Sequence, residues 1–394
     1  MSRIEELIAE LCPDGVNYYD LEGVCKFQRG TSITAKNIID GTVPVIAGGQ
    51  KPAYYHNTAN RTGETIAIAG SGAYAGYVSY WDIPVFLSDS FSVNPDKCLI
   101  PKYVYYFLQS KQNMIYQTKK GGGVPHVHGS SIAKIKIPVP PLQVQQEIVR
   151  ILDNFTELTT ELTTELTKRK GQYQYYINAI FQFNDDCIEW KSLEELGSFI
   201  RGKRFTKDDY VEGDGISAIH YGEIYTNYGT SADTTVSKVK RHMAGKLRYA
   251  SPSDVIFTDV GETVEDVGKA VAWLGDDKVA IHDHCYAFKH KMNPKYISYY
   301  MQTDSFISQK IKYVVRTKVK TLLIDGFAKI KIPIPYPNNL EKSLEEQARI
   351  VTILDRFDTL CNDLTSGLPA EIEARKKQYE YYRDKLLTFK EAVQ

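Results

Sequence analysis

The sequence predicts an α+β protein: two strand-rich, mixed α/β domains separated by two long coiled-coil helices, built as a cyclic repeat. Three observations predict it. The segments AKIKIPVPP, QEIVRILDNF and RKGQYQYY return as AKIKIPIPY, ARIVTILDRF and RKKQYEYY, an internal duplication. Apolar residues fall at Ile148, Ile151, Phe155, Leu158 and Leu162, and again at Ile350, Ile353, Phe357, Leu360 and Leu364, in the alternating spacing of a coiled-coil seam. The intervening stretches are short apolar runs punctuated by Gly, Asn and Pro, the pattern of strands joined by turns.

In chain order, residues 1–20 hold a short helix. Ile8, Leu11, Val16, Tyr18 and Leu21 line up with Ile180, Phe183, Ile188, Trp190 and Leu193. The first helix thus copies the end of the mid-chain helix, which makes the repeat cyclic and places it beside the C-terminal helix. Residues 21–141 form the first domain, with strands in TVPVIAGG, ETIAIAG, YAGYVSYW and PVFLSDSFSV and a helical stretch in PKYVYYFLQSKQNMIYQTKK. Residues 142–184 form the first long helix. Continuing its apolar face through Tyr173, Tyr176 and Ile180 gives roughly 40 residues, about 60 Å at ~1.5 Å per residue.

Within that helix, residues 156–167 are TELT three times over. Four residues rise ~6 Å and turn ~400°, so adding or removing one unit changes the length with a rotation of only ~40°. The segment reads as an adjustable spacer rather than filler. Residues 185–337 form the second domain, whose helical stretch is PKYISYYMQTDSFISQKIKYVV. Phe27, Arg29, Gly30 and Thr34 recur 172 residues later as Phe199, Arg201, Gly202 and Thr206, whereas Ala133 to Pro138 recur 195 residues later as Ala328 to Pro333. The second domain is therefore longer by loop insertions. Residues 338–394 form the second long helical region, where Gly367 and Pro369 break or restart the helix.

Composition narrows the function. Lys and Arg balance Asp and Glu, 48 against 48, and the pI is about 7.1, which disfavours a protein that wraps nucleic acid alone. Six scattered cysteines without a CxxC pair or a secretory signal read as reduced thiols of a cytoplasmic protein, and no apolar run approaches the roughly 20 residues of a membrane span. The 28 tyrosines suit half-buried strand positions.

The two strand-rich units, the IPVPP and IPIPY segments that open each helical region, QEIVRILDNF and ARIVTILDRF after them, and the closing GLPAEIEARKKQYEYYRDKLL together carry a resemblance. Over essentially its whole length the chain resembles the specificity subunit of Type I restriction–modification enzymes. The resemblance implies two target-recognition domains, each reading one half of a split double-stranded DNA sequence. It implies that the two helices pack antiparallel as a ruler about a pseudo-two-fold axis. Two modification (methyltransferase) subunits would dock on them to methylate an adenine in each half-site, and restriction (motor and nuclease) subunits would join to cut unmodified DNA. S-adenosylmethionine, ATP and Mg are then expected on those partners and none on this chain. In related proteins, tandem four-residue repeats set the unread gap, and TELT looks like the same device. One unit of ~6 Å against ~3.4 Å per base pair changes the gap by about one or two base pairs.

The residues agree with a subunit that lacks chemistry of its own. GSGAYAGY, from Gly70 to Tyr77, has clustered glycines but no following helix with an acidic ribose partner, and VPPL at Val139 lacks the polar first residue of a methyltransferase loop. GETVEDVGKA from Gly261 fails the phosphate-binding spacing and has Ala270 where Ser or Thr is needed. His282, Asp283, His284 and Cys285 could each ligate zinc, but without a second ligand pair they read as a structural strand.

DNA-contact candidates lie in three places. Lys119, Lys120, His126 and His128 surround the loop GGGVPHVHGSS, and Arg316, Lys318 and Lys320 occupy the matching region of the second domain. The turn at Arg29, Gly30 and Thr31 recurs as Arg201, Gly202 and Lys203 with Arg204 beyond; Ser71 and Tyr74 of GSGAYAGY are candidates besides. The insert SKVKRHMAGKLRY adds Lys240 and Arg241 to the second domain alone. The rival reading is a coiled-coil scaffold with two protein- or carbohydrate-binding domains.

Overall fold

The computed structural model describes residues 2–121, 123–183, 187–316, 318–363 and 365–392; Leu364, the last seam position above, lies outside them. The chain divides into two compact units, Met1–Leu162 with Ile372–Gln394, and Thr163–Glu371.

In the first unit, four antiparallel strands lie in the order Cys25–Arg29, Ser90–Pro95, Thr65–Ala69, Val78–Trp81. TIAIA, Thr65–Ala69, is buried throughout, and its alternation sorts two layers. Ile66 and Ile68 join Tyr103, Val104 and Phe107 of the helix Pro101–Ser110 in the main core. Small Ala67 instead meets Val85 and, from a three-stranded sheet formed by Tyr54–His56, Val43–Ile46 and Phe86–Leu87, Ile46 and Leu87. The helix Arg3–Leu11 shares the main core with Tyr379 and Leu386 of the C-terminal helix, Leu368–Leu386, and with Leu387 beyond it. Val16 receives a hydrogen bond from Ala392 N–H at 3.1 Å and donates to Lys390 O at 2.8 Å. The two chain ends therefore fold together, as the cyclic repeat requires.

The second unit repeats the four-stranded order as Ser198–Arg201, Cys285–Lys289, Val255–Thr258, Ala270–Trp273, then adds Ser231–Ala232 in parallel. Its second sheet has four strands, Ser237–Val239, Ile216–Ile219, Val279–Ile281 and Tyr249–Ala250. The outer two come from the segment SKVKRHMAGKLRY, which accounts for part of the extra length. Tyr296, Tyr299 and Tyr300 are fully buried, so these tyrosines are core residues with their hydroxyls bonded to Pro333 O, Asp355 and Lys331 O. His282 to Cys285 is not the strand read from sequence. It is a turn closed by Cys285 N–H on His282 O at 2.8 Å, between Val279–Ile281 and Cys285–Lys289.

The helix Leu142–Ile180 runs uninterrupted for 39 residues. Through TELT, the hydroxyls of Thr156, Thr159, Thr160 and Thr167 bond carbonyls four residues back. The second copy is split into Leu340–Asn362 and Leu368–Leu386. A β-carbon at Gly367 would stand 2.4 Å from Thr359 O, and Pro369 sits in the first turn of the new helix.

The apolar positions of these helices meet both the cores and aromatic rings of other helical segments. Val144, Ile148 and Leu152 are fully buried against the first unit's core, and Ile350 and Leu354 against the second's. Phe155, half-buried, stacks on Tyr382 at 5.6 Å, and its repeat partner Phe357, which also packs against the second core, stacks on Tyr176 at 5.1 Å. Both helices clamp their units through equivalent bonds. Gln145 accepts from Ile100 N–H and Gln347 from Asn293 N–H, each at 2.9 Å. Asp153 holds Tyr106 at 2.5 Å and Lys102 at 2.8 Å, while Asp355 holds Tyr299 at 2.6 Å and Lys295 at 2.5 Å.

Candidate nucleic-acid interface

In the first unit the strand Cys25–Arg29 ends with Arg29 opposite Phe91. The chain then passes so close to the neighbouring loop that a β-carbon at Gly30 would stand 2.3 Å from Leu87 O, which explains the Arg-Gly pair. Arg61 fixes this strand end by donating to the carbonyls of Gln28 and Arg29 and to Ser92 Oγ at 3.0 Å. Arg29 itself is exposed and makes no ion pair or side-chain hydrogen bond among the described residues.

Beyond Thr65–Ala69, Ser71 pairs in extended conformation with His126 and donates its hydroxyl to Asp89. Lys120 and His126 exchange backbone hydrogen bonds of 2.9 and 2.8 Å, closing a small hairpin whose Gly121 adopts a φ of +110°. His126 and His128 stack with ring centroids 6.2 Å apart. Lys119 donates to Ala73 O at 3.0 Å and lies 4.3 Å from the Tyr116 ring centroid. That bond sets it next to exposed Tyr74.

Residues distant in sequence therefore meet. A cleft of about 170 Å³ is lined by Phe27, Arg29, Gly70, Asp89, His126 and His128, with Ser71 bonded at its edge. Thr31, exposed, is tied to the same loop by its N–H on Leu87 O.

The second unit uses the same register with different side chains. Arg201 lies opposite Tyr286, as Arg29 lies opposite Phe91. A β-carbon at Gly202 would stand 2.0 Å from His282 O, so the second Arg-Gly pair has the cause of the first. Arg201, however, is tethered: it donates to Asp283 O at 3.0 Å and to Asp259 at 3.3 Å, with its guanidinium 5.8 Å from the Tyr286 centroid. Asp259 also holds His284 at 3.0 Å. The hairpin Val314–Arg316 and Lys320–Leu322 pairs with Val260–Gly261, just as the Lys120–His126 hairpin pairs with Ser71. Arg316 and Lys320 face each other across it, and Lys318 is exposed at its tip.

Lys203 and Arg204 are exposed beside Arg201 in sequence. The insert is more committed: Lys240 donates to Asp208 O at 2.6 Å, and Arg241 makes a two-pronged pair with Asp214, 2.8 Å through Nε. No contact joins these two to Arg201 among the described residues. Sequence reasoning missed Asp89, Asp259 and His284, whose positions emerge only from strand register.

Among the described residues no group of three or more His, Cys, Asp or Glu side chains could hold a metal ion. Burial, reinforced by His220 at a ring distance of 4.3 Å, lowers His282 to about 4, and burial pushes the Cys285 thiol well above its usual range. No described helix is long and apolar enough to cross a membrane.

Comparison with known proteins gives a consistent result. The family model described as the Type I restriction modification DNA specificity domain matches twice, over residues 13–169 and 187–374. The EcoR124I/EcoR124II specificity subunit of a Type I restriction enzyme from Escherichia coli is 35% identical over 99% of this chain and 97% of its own length. A specificity-subunit relative from Haemophilus influenzae is 28% identical over 89% of each chain. Two solved structures share the fold. One is the S subunit of a Type I restriction–modification system from M. genitalium, with a TM-score of 0.56 and 17% identity over 95% of this chain and 96% of its own. The other belongs to work on complex assembly and conformational transition of the type I system, with a TM-score of 0.62 and 16% identity over 96% and 98%.

Proposed function

This chain belongs to the Type I restriction–modification DNA specificity family, and from that premise we propose that each of its two units reads one half of a bipartite double-stranded DNA target. It is a recognition subunit without catalysis of its own. The comparisons support this reading and not the coiled-coil scaffold. The observation that carries the assignment to the units is the duplicated strand end. In each, a repeated arginine, Arg29 or Arg201, stands at the same register position near a hairpin that carries basic or imidazole side chains. Glycine there brings the backbone close, and guanidinium and imidazole groups can contact phosphates and base edges.

Two modification subunits dock on the repeated helices, and restriction subunits join them. The equivalent clamps of Asp153 and Asp355 and the equivalent ring pairs of Phe155 and Phe357 support twofold docking, because identical partners need identical surfaces. S-adenosylmethionine, ATP and Mg belong to those partners. Deleting the gene from a strain that expresses it should remove N6-methyladenine from a two-part sequence, and restoring it should return the mark. A methylome unchanged by the deletion would refute the proposal.

A further inference from the structure

Strand register aligns the two units independently of sequence. Ala69 pairs with Ser90 in the first unit, and Thr258 pairs with Cys285 in the second. The next residues therefore correspond: Gly70 with Asp259, and Asp89 with His284. The backbone agrees, since Gly70 N–H donates to Asp89 O at 2.9 Å and Asp259 N–H to His284 O at 3.1 Å.

Each unit thus places one carboxylate at this strand end, but from opposite strands. In the second unit it comes from the Gly70 position, as Asp259. In the first it comes from the His284 position, as Asp89, whose Oδ1 lies 3.3 Å from where a β-carbon on Gly70 would stand. A side chain at Gly70 would crowd Asp89, whose backbone O would stand 3.0 Å from that β-carbon. The partners differ too: Asp259 is occupied by Arg201 and His284, whereas Asp89 receives one hydroxyl, from Ser71, and keeps further acceptor capacity toward the cleft it shares with Arg29, His126 and His128.

A carboxylate on a surface that meets phosphates opposes non-specific binding, so its contribution must come from accepting a hydrogen bond. In the major groove the donors are the exocyclic amino groups of cytosine and adenine. We propose that Asp89 is a specificity-determining residue of the first unit, accepting from the exocyclic amino group of one base in that unit's half-site. The inference rests on the reading of the units as half-site readers.

Asp89→Asn tests it, because the amide still accepts from Ser71 but exchanges one acceptor for a donor, which favours a keto-bearing base. The complex of the chain with its modification subunit is titrated with the cognate duplex and with duplexes changed singly at each recognised position of both halves. The variant should lose roughly 5- to 100-fold of discrimination at one position, in one half only, where the wild type selects cytosine or adenine. Unaltered discrimination at every position overturns the proposal, and so does an even loss across both halves, which marks Asp89 as structural. If the wild-type complex prefers no bipartite duplex, the half-site reading itself has failed.

Discussion

Arg29 and Arg201 occupy one register position and differ in what holds them. Arg29 is unpaired among the described residues, while Arg201 is drawn onto Asp259 and Asp283 O. Arg29→Ala should therefore weaken DNA binding and lower the slope of log affinity against log salt by about 1, measured by titration of labelled duplex across ionic strength. Lys240→Ala and Arg241→Ala should change that slope less, because their charges already meet Asp208 O and Asp214. Lys310 gives a pH signature. Burial lowers it from 10.5 to about 8, with its ammonium on Glu265 O at 2.7 Å. The folded state then releases its proton before the unfolded state does, so the cost of burying the charge is full below pH 8 and fades as pH rises from about 8 toward 10.5. Compared with Lys310→Met, the wild type should gain thermal stability over that window; a difference independent of pH would contradict the assignment.

At the scale of elements, the helices are held by short polar clamps as much as by apolar stripes. Asp153→Ala leaves Tyr106 and Lys102 without their shared acceptor, and Asp355→Ala does the same to Tyr299 and Lys295. Each should cost about 1–3 kcal/mol, read as a fall in the unfolding midpoint. Much of this level was legible in the sequence: the duplication marked both helices, and Gly367 with Pro369 marked the break in the second. Periodicity alone does not show which partner each apolar residue meets: Ile148 and Ile151 pack into the first core, whereas Phe155 stacks on Tyr382. The turn at His282–Cys285 was hidden for a related reason, since a turn between two buried strands leaves the apolar pattern almost unbroken. Asp89, Asp259 and His284 were invisible as a site, because only strand pairing aligns residues from segments of unequal length.

At the scale of the molecule, the chain repeats its helices and clamps and varies its strand-end side chains, which fits two identical partners and two different half-sites. TELT lies within the uninterrupted helix Leu142–Ile180, where added turns extend the helix and threonine hydroxyls bond carbonyls one turn back. The most direct measurement is the adenine methylome of cells carrying the modification subunit with either the wild-type chain or one lacking residues 160–163. Both should show a bipartite motif with identical half-sites, and the shortened chain a gap altered by about one or two base pairs. An uninterrupted motif, or a gap that stays the same when a full TELT unit is removed, would contradict this reading.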